Sequence, residues 1–231
     1  MRREDAPEAI LAWDTETNGV SPDESRILTC YALLQDIKGN KLDEWSWIIN
    51  PGVEVPKGAS DVNGLTTEYI REHGREDHVT AILEIENTLN MAATKGYPIV
   101  AYNQPFDLTL LDRELMGIQG HSEGVKWTVD NGLFFDPMVW DKHIHRFRKG
   151  SRKLMDVARH YGIEVDDSRL HEAQYDVELT AKLTWVLFQH HCDWTIEELQ
   201  PILKKAKREQ SESLQAYFKK TGKTNDDGSP I

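Results

Sequence analysis

The chain has 231 residues, 39% apolar and 29% charged, which is enough for one substantial core and at most a small second module. No apolar run approaches the roughly 18 residues a membrane helix needs, and the opening MRREDAPEA lacks the apolar stretch of a signal peptide, so the expectation is a soluble cytoplasmic protein with no membrane contact. The formal charge of -12 argues against holding nucleic acid by bulk electrostatics, and the two distant cysteines, Cys30 and Cys192, make neither a disulfide framework nor a thiolate zinc site.

Residues 9–13 are a short apolar run that ends in DTETNG, and residues 27–34 (ILTCYALL) are a second run of strand formers. Residues 42–49 follow a Gly39-Asn40 turn, so the second and third strands are expected to pair antiparallel. The stretch 51–64, punctuated by Pro and Gly, reads as a loop. Thr66 opens a short helix, and residues 80–95 carry Ile82, Ile85, Leu89 and Ala92 at helical spacing. A strand is expected over 98–102, a helix over 106–116 stopped by Gly117, and a loop over 120–132. A brief strand at 133–136 and helices over 138–147, 153–161 and 175–190 complete the pattern. The expected fold is therefore an α/β mixed five-stranded sheet, antiparallel at first and then parallel, with helices on both faces. We place a single domain over 1–192 and a polar, basic helical tail over 193–231 with a flexible end.

The charge is unevenly spread. Residues 142–153 hold six Lys/Arg and no acid, and residues 203–223 carry a net +5, so the remaining body is strongly acidic. An acidic body with two basic stripes suits an enzyme that gathers divalent cations and touches a polyanion locally; solvated basic faces are the plainer alternative.

Asp14 and Glu16, two apart at the end of a strand, project from the same face. Their mutual repulsion invites a hard cation such as Mg²⁺ or Mn²⁺, which prefers oxygen ligands. Asp107 stands in the first turn of the helix that follows strand 98–102, where an acid is also an ordinary response to the helix dipole. Farther on, His171 and Asp176 are five apart, about 140° around a regular helix, so both face one site only if His171 lies on the preceding loop.

The segments DTETNG, NQPFDLTLLDREL and HEAQYD, in this order, resemble the three motifs of the DEDDh 3′-5′ exonucleases, the family of the epsilon proofreading subunit of DNA polymerase III. The likeness extends over about residues 9–190, with VNGLTTEYI similar to the family's HGIT-type loop and LMDVARHYGI similar to the helix before its third motif. The resemblance implies a ribonuclease H-like fold and two divalent cations held by Asp14, Glu16, Asp107 and Asp176, with His171 as general base. It also implies release of nucleoside 5′-monophosphates from a DNA 3′ end in proofreading, repair or replication, and a contact from Glu16 to the terminal 3′-hydroxyl. Ribonuclease T and oligoribonuclease share these motifs, so RNA remains an alternative substrate. A catalytically silent nucleic-acid-binding subunit is an alternative of another class.

Two departures bear on substrate grip: Asn63 stands where the family often has His, and Asn18-Gly19-Val20 replaces the common Thr-Gly-Leu. Around the carboxylates, Thr15, Thr17, Asn63, Asn103 and Phe106 are candidates for contact with the terminal nucleotide, and Arg148, Lys149 and Arg152 for contact with phosphates. Residues 211–220 resemble a sliding-clamp box with Ser211 in place of the leading Gln, so a clamp or polymerase is a possible partner; Leu214, Tyr217 and Phe218 at i, i+3 and i+4 could equally dock the tail on its own domain.

Overall fold

The computed structural model describes residues 6–169, 172–191 and 193–221, with side chains up to Ala216. Its sheet has five strands in the order β3-β2-β1-β4-β5. Strands β1 (Ala9–Thr17), β2 (Ile27–Asp36) and β3 (Lys41–Ile48) form an antiparallel meander, and β4 (Ile99–Val100) and β5 (Phe134–Phe135) add in parallel beyond β1. The mixed sheet and its helices on both faces are the ribonuclease H-like arrangement expected from the sequence.

The helices are α1 (Lys57–Asn63), α2 (Thr67–His73), α3 (His78–Lys95), α4 (Pro105–Met116), α5 (Lys126–Asn131), α6 (Pro137–Ile144), α7 (Leu154–His160), α8 (Ala173–His190) and α9 (Ile196–Thr221). Two of them lie where loops were expected. In 51–64, Pro56 precedes α1 and Gly64, at φ 73°, ends it, so the residues that looked like breakers bracket a helix. In 120–132, the six-residue α5 is tied to α3 by Thr128 Oγ1 donating to Asn90 Oδ1 at 2.5 Å, a tertiary contact without a local signal. Both parallel strands beyond β1 are two residues long, shorter than the apolar runs that announced them.

Strand β1 lies at the centre, and its alternation divides the core. Ala9, Leu11 and Trp13 pack towards α3 and α4 with Ile82, Ile85, Leu110 and Leu115. Ile10 and Ala12 pack the other way, with Val177, Leu183 and Leu187 of α8 and Trp140 of α6. The same parity sends Asp14 and Glu16 to the α8 side. Ile196, Leu199, Leu203 and Ala206 of α9 are buried in that second cluster. Gln200 on the same helix completes the exposed edge of β5: it accepts from Phe134 N at 3.0 Å and donates to Phe134 O at 2.9 Å. Among the described residues no helix is long and apolar enough to cross a membrane.

Candidate active site

Asp14 and Glu16 leave β1 on the face that α8 covers, and Asp176 stands in the first turn of α8. The structure brings these three together: one carboxylate oxygen of each lies within 4.8 Å of the others, all three partly buried. Asp107, in the first turn of α4, arrives from the other side of the sheet and is 3% exposed. Thr15, between Asp14 and Glu16, points to that side. Its backbone N–H and hydroxyl donate to Asp107 Oδ1 at 3.2 and 2.6 Å, fastening the fourth carboxylate to the strand end that carries the first two.

The electrostatics show what this crowding does. Burial, then the charges of Asp107, Glu16 and Asp176, hold the Asp14 carboxyl well above its ordinary range. Burial and Asp176 push Glu16 up to about 8, against a hydrogen bond from Asn63 that favours its charged form. Burial pushes Asp107 up to about 7, with the Thr15 bonds opposing. What raises these three is burial and the charge of neighbouring acids. A cluster of hard oxygen donors fits a divalent cation such as Mg²⁺ or Mn²⁺.

The surrounding loops are pinned in detail. The β1–β2 register slips between Glu16 and Thr17, a bulge of the kind that re-aims side chains near active sites. Asn63 Nδ2 donates to Thr17 O at 2.9 Å, and Thr17 Oγ1 donates to Gly19 O at 2.5 Å, so Asn63 and Thr17 hold the chain that leaves the site. On the other flank Asn103 adopts φ 61°, a left-handed conformation that Asn tolerates better than most residues. Its N–H and that of Gln104 donate to the two oxygens of Asp136 at 3.3 and 3.2 Å, while Asp136 Oδ1 caps α6 through Met138 N at 2.9 Å. Asp136 therefore sets the turn that aims Asp107. It is a positioning residue that sequence reasoning passed over, although Asp before Pro137 is a helix-start signal.

A cleft of about 530 Å³ opens beside Asp176, lined by Tyr102, Asn103, Met138, Arg152 and Leu154. Phe106 instead rests partly buried against the core on the α3–α4 side. The basic stripe is less available than its composition suggested. Arg148 donates to the fully buried Asp141 Oδ2 at 2.9 Å, Arg152 pairs with the same oxygen, and Tyr161 Oη donates to Asp141 Oδ1 at 3.0 Å. Burial alone would raise Asp141, but these bonds bring its carboxyl below the ordinary value. Arg148 and Arg152 are thus fastened to a buried acid, a demand that a count of charges cannot show. Lys149 is exposed, His171 lies outside the described residues, and so do the side chains of Tyr217 and Phe218.

The profile of the exonuclease family RNase_T matches residues 11–184, a span that begins in β1 and ends in α8. The chain is 27% identical over 183 residues to the DNA polymerase III subunit epsilon of Treponema pallidum, covering 79% of this chain and 78% of that protein. It is 27% identical over 179 residues to an epsilon-like protein of Rhodobacter capsulatus, but spans only 23% of it. In fold it resembles E. coli exonuclease I in complex with a dT13 oligonucleotide, with a TM-score of 0.57 at 19% identity, covering 78% of this chain and 41% of that one. With the family profile running from the first pair of acids to the helix of the last, the chain belongs to the RNase_T exonuclease family.

Proposed function

We propose that this protein is a 3′-5′ exonuclease of the DEDDh type, shortening DNA from its 3′ end and releasing nucleoside 5′-monophosphates. The observation that carries this reading is the meeting of Asp14, Glu16 and Asp176 within 4.8 Å, with Asp107 tied alongside through Thr15.

In this reading Asp14, Glu16, Asp107 and Asp176 hold two divalent ions, which when bound stabilise the attacking and leaving oxygens of an in-line displacement. The chain's own groups do the rest. The imidazole of His171 takes the proton of the attacking water. Glu16 also receives the 3′-hydroxyl of the terminal nucleotide. The cleft beside Asp176 takes the nucleotide, with Tyr102 fixed by its hydroxyl donating to Arg152 O at 2.5 Å, and Met138 and Leu154 supplying apolar surface. The likeness to an epsilon subunit supports work in replication or repair beside a polymerase.

Equal-length single-stranded DNA and RNA, labelled at the 5′ end, test this with Mg²⁺ and with EDTA. The reading expects stepwise shortening of the DNA that EDTA stops. Preference for RNA would move the enzyme to the ribonuclease T type, and binding without digestion would make it a silent subunit.

A further inference from the structure

A second, larger groove of about 670 Å³ lies between the segment after α6 and the outer half of α9. One wall holds Lys142, Arg146 and Phe147, and the other holds Glu209, Gln210 and Leu214. Arg152 lines both this groove and the cleft beside Asp176, so the two adjoin at that side chain. Gln210 donates to Val139 O at 3.1 Å and anchors the α9 wall to α6.

Three features favour a single-stranded polyanion with flat bases. The groove gathers cations within a protein of net charge -12, and Arg146 makes no ion pair among the described residues. Phe147 is 89% exposed, with the Arg146 guanidinium 5.8 Å from its ring centre, an arrangement that offers a stacking face beside a phosphate contact. Burial, then the charge of Lys207 on α9, lowers the Lys142 ammonium, and these outweigh the opposing pull of Asp136 and Asp141.

We propose that this groove holds the strand 5′ to the scissile bond, with Lys142 and Arg146 on its phosphates and Phe147 under a base, so that α9 is one wall of the substrate channel. This rests on the exonuclease reading, which sets the 3′ end at the carboxylates. It goes beyond that reading in giving the enzyme a grip that depends on substrate length.

The test uses the full chain and the variants Phe147→Ala and Lys142→Gln/Arg146→Gln. Anisotropy of labelled dT16 in Ca²⁺ reads binding, with poly-glutamate as competitor, and hydrolysis of p-nitrophenyl thymidine 5′-monophosphate reads the chemistry of a substrate too short to reach the groove. The proposal expects Phe147→Ala to weaken dT16 binding at least about fivefold, the low end for one stacked base. It expects the double variant to flatten the salt dependence by about 0.7 per lost phosphate contact, while the ester is still turned over. Unchanged dT16 binding and salt slope in both variants would overturn it. So would poly-glutamate binding that the variants abolish while dT16 binding stays intact. If the wild type binds dT16 through the groove but digests neither dT16 nor the ester in Mg²⁺, the exonuclease reading fails and the groove stands.

Discussion

Thr15 is an instructive residue because its neighbours draw attention away from it. Asp14 and Glu16 are legible from their spacing, whereas the reason Asp107 joins them is a hydroxyl on the opposite face of the strand. Thr15→Val removes that hydroxyl at nearly constant volume and leaves a buried carboxylate short of a donor, a change of about 1–3 kcal/mol. It is expected to weaken Mn²⁺ binding by calorimetry about tenfold or more while Asp14, Glu16 and Asp176 remain. Asp14→Ala and Asp176→Ala are expected to abolish turnover. His171→Ala is expected to lower kcat by about 10² to 10⁴, the usual contribution of a general base. The raised carboxyls add a pH dependence. Asp107 near 7 and Glu16 near 8 still carry protons at neutral pH without a cation, and a cation must displace them. Cation affinity should therefore rise between pH 6 and pH 8.5 with proton release, and a pH-independent affinity would contradict the cluster's crowding. Asp141 shows the reverse lesson: nothing local marks it as the acid that two arginines of the basic stripe serve.

At the scale of elements, the period of the sequence was most informative where an element is long enough for the period to register. The alternation in β1 places both acids on the α8 face, and the helical repeat of α8 is visible because Leu179, Leu183 and Leu187 are buried in register. Helices α1 and α5 escaped because seven and six residues give too few turns for a period to register, and their ends are set by Gly64 and by a contact to Asn90. The N-terminal half of α9 has thin apolar content along the chain, yet Ile196, Leu199, Leu203 and Ala206 fall on one face and are buried. Burying each large side chain contributes about 1.5–3 kcal/mol, so this face represents a large share of a typical 5–15 kcal/mol stability. Ending the chain after Asp193 is expected to lower Tm by more than 10 °C, whereas ending it after Gln210 leaves that face intact and shifts Tm by only a few degrees. Thermal unfolding of the two truncations separates these cases; equal shifts would show that α9 contributes nothing to the core.

For the whole molecule, the excess of acid is partly an excess at one place. A carboxyl whose folded pKa is raised binds more protons folded than unfolded. Its contribution to stability is therefore lost as pH rises from its ordinary value towards the folded one, from 4.5 to about 8 for Glu16. The cation-free protein is accordingly expected to lose thermal stability between pH 5 and pH 8.5, and Mg²⁺ or Mn²⁺ is expected to restore more of it at pH 8.5 than at pH 5. The most direct single measurement is anomalous diffraction from crystals soaked in Mn²⁺. The expected result is manganese peaks bounded by the carboxylates of Asp14, Glu16, Asp107 and Asp176, and absent from Asp14→Ala crystals. Manganese bound elsewhere, with that cluster empty at saturating concentration, would contradict the assignment of these four acids to the chemistry.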